Sequence, residues 1–219
     1  MSDGLSRRVM ARAGGLCIVA GYVDAIGYTS LGHVFAANMT GNTVLIAIAA
    51  SEGDFAHAAV YASTLLSFLA GAIVAALSQR ATGGPTMALL AAAALLLAAA
   101  YATLAPLPTL ALLAVAMGLQ GAAITRFGTA AMQTVVVTAT IIRLAGHIVA
   151  RVLPARGTDG GAARLDAVAW IAYGGGAAFA LLVERVMHRP LFLATAALFA
   201  IAIEVAAASW RAPPSRSAA

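Results

Sequence analysis

Apolar residues run along this chain in long blocks bounded by charges, Pro and Gly. The blocks extend from Ala13 to Leu31, Val34 to Ala50, Phe55 to Ser78, Pro85 to Leu104, Leu107 to Thr125, Ala131 to Ala150, Leu165 to Val183 and Pro190 to Trp210. A helix rising 1.5 Å per residue needs about 20 residues to cross the apolar core of a bilayer. Six blocks reach that length. The other two do not: Val34 to Ala50 is interrupted by Asn38-Met39-Thr40-Gly41-Asn42, and Ala131 to Ala150 carries Gln133, Thr134, Thr138, Thr140, Arg143 and His147. Both read as short, broken or re-entrant helices.

The order long, short and broken, long, long occurs twice. With Thr40 placed on Thr138, the long helix before each short element also aligns, Gly21 to Ile26 beside Leu119 to Ile124. The expected fold is therefore all-α: a polytopic bundle of about six spanning helices plus two short broken helices, built as two repeats. It forms a single integral membrane domain over 1–219, with repeats at approximately 13–104 and 107–210 and tails at 1–12 and 211–219.

Composition agrees with the pattern. The 219 residues are 62% hydrophobic and 10% charged, and the mean hydropathy is +0.93, whereas a soluble domain carries about 25% charged residues. That excludes a cytosolic enzyme, a disordered chain and a disulfide-stapled secreted domain; the one cysteine, Cys17, can form no internal disulfide.

The net charge of +5 comes from 13 arginines against eight acidic residues. Because the arginines cluster at the ends of apolar blocks, they read as topology signals and not as a nucleic-acid surface. If the short elements do not cross, each half has three spans and the second half is inverted. Ten arginines then lie inside, Arg185 and Arg189 outside, and Arg143 within the membrane. Eight crossings would divide them eight to four. The positive-inside rule favours six spans with both termini cytoplasmic.

Three features could carry chemistry. Asp24 lies inside the first span, where an unpaired carboxylate costs at least ~2.5 kcal/mol, so it must face protein or water. Gly14, Cys17, Gly21, Asp24 and Tyr28 follow at helical spacing and form a small, polar stripe suited to close packing. Asp24 is either a proton, cation or substrate-charge site, or a structural pair inside the bundle.

Asn38, Thr40, Gly41 and Asn42 stand at the start of a half-helix, where Asn and Thr cap free N–H groups and the helix dipole attracts negative charge. Thr138 and Thr140 stand at the matching place in the second half. In an inverted repeat the two starts approach near the midplane and bind solute, or they satisfy only their own broken backbone. Arg143, one turn after Thr140, can pair with Asp24, hold an anion, or snorkel to the headgroups. No spacing of His, Cys, Asp and Glu suggests a metal, no nucleophile–base pair suggests an enzyme, and no cofactor is implied.

Gly21-Tyr22-Val23-Asp24-Ala25-Ile26-Gly27-Tyr28, Phe35 and Asn38-Met39-Thr40-Gly41-Asn42-Thr43 resemble the signature of the YoaK-like family of small bacterial inner-membrane proteins, over about Gly15 to Trp210. Gly118-Leu119-Gln120 and Thr138-Ala139-Thr140 resemble that family's second motif, with Gly121 in place of Asn and Ala139 in place of Gly. The resemblance implies a compact polytopic membrane protein and supplies no substrate.

The functional expectation is a small secondary transporter for a polar or anionic solute, with Asp24 coupling protons and Asn38, Thr40, Asn42, Thr138, Thr140 and Arg143 lining the site. The alternatives are a non-transporting scaffold or sensor and, more distantly, a passive channel. The expected partners are the lipid bilayer and the solute; small-residue stripes also suit a homo-oligomer.

Overall fold

The structure, a computed structural model, describes residues 7–101, 105–124, 126–127, 130–131, 141–143, 145–146 and 160–211. Among the described residues seven helices carry the fold: α1 Arg7–Ser30, α2 Met39–Ser51, α3 Phe55–Thr82, α4 Thr86–Tyr101, α5 Pro106–Ala123, α6 Gly160–Glu184 and α7 Leu191–Arg211. Five of them, all but α2 and α4, are long and apolar enough to cross a membrane. The chain is a helical membrane bundle, as its apolar blocks predict. The block Pro85 to Leu104 is helical over Thr86–Tyr101, the part of it that is described after Pro85. One detail differs from that reading: Arg126–Phe127 pairs antiparallel with Ala130–Ala131 in a two-residue ladder that the apolar run does not announce.

Packing is organised around glycines. Where α1 crosses α6, a methyl on Gly21 would overlap the Tyr173 carbonyl, and one on Gly176 would overlap the Ile18 carbonyl. Where α3 crosses α5, a methyl on Gly71 would meet the Val115 carbonyl and one on Gly118 the Phe68 carbonyl. In each helix the touched carbonyl belongs to the residue three before the glycine. Because lipid is as apolar as leucine, backbone approach of this kind is what holds spanning helices together. Within the Gly174-Gly175-Gly176 run only Gly176 serves this packing; a methyl on Gly174 or Gly175 would meet nothing. Leu66, Leu69, Ile73, Val74 and Leu77 leave the outer face of α3 exposed and apolar, as a lipid-facing surface requires.

Contacts near the helix ends define two rims. At the first, Thr29 and Ser30 of α1 meet Glu184 of α6, Tyr22 donates to the carbonyl of Pro190 just before α7, and Tyr101 at the end of α4 packs edge-on against Phe192 of α7 with Arg189 over its ring. At the second, Arg12 of α1 pairs with Glu204 of α7, and Gln79 of α3 donates to the Ala122 carbonyl of α5. Thus α1, α4 and α6 finish at the first rim, where α3, α5 and α7 begin. The segment holding α2 leaves α1 and enters α3 at that same rim.

Candidate functional site

The site is built where α1 ends. Past Ser30 the chain reverses through Gly32 and His33, whose φ values of 95° and 60° are left-handed; the first suits glycine, while a histidine rarely adopts the second. The returning strand lies on α1 so closely that a methyl on Gly27 would come 2.6 Å from the Val34 carbonyl. Asn42 fastens it: its amide nitrogen donates to the Phe35 carbonyl at 2.7 Å, and its amide oxygen accepts the Phe35 N–H at 3.0 Å. Phe35 stacks on Tyr28, 5.0 Å between ring centres. Asn38 caps α2 by accepting the Gly41 N–H at 3.1 Å, and a side chain at Gly41 would crowd the Phe35 ring.

This fold-back aims two backbone donors at Asp24. Its Oδ1 accepts the N–H of Ala37 at 2.6 Å and of Asn38 at 3.3 Å, while Oδ2 accepts the hydroxyl of Tyr173 from α6. The carboxyl is 3% exposed and sits against the start of α2, the electropositive end of that helix. Its three donors are neutral groups. A carboxylate so placed can accept all three, and taking up a proton weakens its hold on them. The arrangement is a clasp, made through one carboxyl, between α1, the start of α2, and α6.

Of the residues predicted from sequence, Asp24, Asn38, Gly41 and Asn42 come together. Thr40 does not join them; it is exposed on the first turn of α2. Thr138 and Thr140 lie outside the described residues. Arg143 is half-exposed and forms an ion pair with Asp166 of α6, with Nη2 and Nε 2.8 and 3.0 Å from Oδ1. Of the partners considered for Arg143, Asp24 is thus replaced by Asp166. The reason is placement: Asp166 stands seven residues, about 10 Å, before Tyr173 on α6.

Sequence reasoning passed over Tyr173 and Asp166, and named Gln120 only as part of the second motif. A lone aspartate in an apolar block, the signal that singled out Asp24, was present for Asp166; a phenol beside three glycines was the signal for Tyr173. Glu204 of α7 pairs with Arg12, and His57 is exposed beside Asp54. Among the described residues no His, Cys, Asp and Glu cluster could hold a metal.

Residues 13–204 match the family model described as "Protein of unknown function (DUF1275)". A similar protein is the "UPF0700 transmembrane protein YoaK" of Bacillus subtilis (strain 168), 37% identical over 147 residues. That match covers 62% of this chain and 65% of the relative, a little under two thirds of its length. No solved structure matches the chain.

Proposed function

The chain belongs to the DUF1275 family, and from that premise we propose that it is a small permease for a polar solute, with proton movement coupled through Asp24. It works as two inverted repeats, approximately 13–104 and 107–210, in a bacterial inner membrane with both termini in the cytoplasm. It binds lipid and a small solute and performs no covalent chemistry.

Several observations support the reading. Helix ends alternate between two rims as six crossings require, and the two glycine crossings repeat one geometry with one helix drawn from each half. The second rim carries the arginine-rich ends of α1, α3, α6 and α7, and the first only Arg185 and Arg189 among the described arginines. The observation that carries the function is the clasp: a membrane-embedded carboxylate is an unfavourable choice for packing alone, and here it faces a half-helix start on one side and a phenol from the other half on its second.

The test is solute-driven proton movement in proteoliposomes. With a transported solute, Asp24→Asn abolishes the coupled proton flux while the protein stays folded. Unchanged coupling in that variant contradicts the role. A second reading, a non-transporting scaffold, is favoured by one observation: Asp24, Asn38 and Asn42 all spend hydrogen bonds on the fold-back itself. It predicts that Asp24 exchanges no proton with either aqueous phase.

A further inference from the structure

Helix α1 packs mainly on α6, and α5 mainly on α3 and α4, so the seam where α1 and α5 face each other is thin. Gln120 of α5 crosses it. Its amide nitrogen donates to the Leu16 carbonyl of α1 at 2.8 Å, and the residue is 0% exposed. No protein group donates to its Oε1; among the described residues it is the buried side-chain atom left without a protein partner. The bond to Leu16 fixes the orientation of the amide, since a flipped amide would set two carbonyl oxygens against each other.

A buried carbonyl without a donor is unfavourable, and an apolar residue would serve packing better. Along α1, Asp24 stands about 12 Å beyond Leu16. Both groups offer acceptors, a carbonyl and a carboxylate. The arginine that might have attracted an anion, Arg143, is paired with Asp166.

We propose that the α1–α5 seam at Gln120 is a binding position for a small solute that brings N–H or O–H donors, such as a protonated amine, an amide or a polyol, and not for an anion. The inference rests on the permease reading and narrows its solute to a donor. The Gln120 carbonyl accepts one of the solute's hydrogen bonds in the seam.

The experiment uses the full chain in nanodiscs and in proteoliposomes, with methylammonium, acetamide, glycerol and acetate as probes. Binding is followed by saturation-transfer NMR and entry by flux. Ligands of so few atoms bind in the millimolar range at best, so probes are raised to about 100 mM. The expected result is that a donor probe binds and acetate does not. The near-isosteric Gln120→Met weakens that binding about tenfold, the worth of one hydrogen bond. Gln120→Glu keeps an acceptor and shifts preference from acetamide toward methylammonium, a change that a purely structural role would not produce. Acetate binding as well as acetamide, binding unaltered in Gln120→Met, or no donor probe bound overturns the proposal. Donor binding without flux contradicts the permease and leaves the site standing; acetate flux indifferent to Gln120 does the reverse.

Discussion

The α1–α6 and α3–α5 crossings use the same backbone device and carry different chemistry. Each has two glycines, and each glycine accepts the carbonyl three residues before its counterpart. Three residues after Gly21 comes Asp24; three after Gly118 comes Gly121. Three before Gly176 comes Tyr173; three before Gly71 comes Phe68. A carboxylate and a phenol at one crossing are therefore a glycine and a phenyl ring at the other. The packing needs neither polar group, because the second crossing forms without them, so the Asp24–Tyr173 pair must be explained by something besides adhesion. The second crossing serves as an internal control for the first.

The largest expected effect tests whether the crossings are alike. Gly21→Leu and Gly118→Leu each drive a side chain into a partner's backbone, and each should destabilise by about 3 kcal/mol or more, beyond ordinary overpacking because backbone cannot yield. Thermal unfolding in detergent measures both. A severe loss at one position and none at the other would show that the crossings are not equivalent.

Asp24→Ala comes next. It strips acceptors from Ala37, Asn38 and Tyr173 at once, at a cost of about 1–3 kcal/mol for each donor left buried and unpaired. The fold-back over 31–38 should lose hydrogen-exchange protection while the α3–α5 crossing keeps its own. Equal loss in both regions would break the proposed division of labour.

Smaller again is Tyr173→Phe, which makes the first crossing resemble the second. One hydrogen bond disappears, worth about 1 kcal/mol, and the glycine contact stays. Phe68→Leu at the matching place should leave any proton-coupled behaviour unchanged, whereas Tyr173→Phe should alter it. Indistinguishable coupling in the two variants would remove Tyr173 from the account.

The smallest effect lies outside both crossings, at the exposed cap of α3. The backbone N–H and ring of His57 hold the Asp54 carboxyl below the usual carboxylate range. A carboxyl lowered in the folded state stabilises above its unfolded value, about 3.9, and that contribution fades as pH falls through the folded value. Asp54→Asn, which can still cap the helix, should flatten this acid-limb dependence of stability; an acid limb identical to that of the parent chain would contradict the assignment.

Local rules made part of this readable in advance. Asn38 and Gly41 are cap and tight-contact residues by type, and a carboxylate in a span announces itself, so one side of the clasp was visible. The Gly14–Gly21–Asp24 stripe also named the correct face of α1: Gly14 meets Val168, and Gly21 and Asp24 meet Tyr173, all on α6. Which helix would cover that face was not visible, because Tyr173 lies 149 residues further along the chain and periodicity specifies a face but not its partner. The same gap left Arg143 with several candidate partners. Its choice of Asp166 depends on how α6 is placed, a matter of tertiary packing. Gln120 was visible only as a member of the second motif; what it bonds depends on its neighbours, which pair one end of the amide and not the other.

Proton exchange at Asp24, sensed by Tyr173 across the crossing, is what sets the proposed permease apart from a scaffold. Infrared difference spectroscopy of the reconstituted protein, titrated over about pH 4 to 9, reads carboxyl protonation directly. The expected result is a protonated-carboxyl band that grows as pH falls, vanishes in Asp24→Asn and shifts in frequency in Tyr173→Phe, with Phe68→Leu leaving it in place. A carboxyl region unaffected by Asp24→Asn across that range would contradict it.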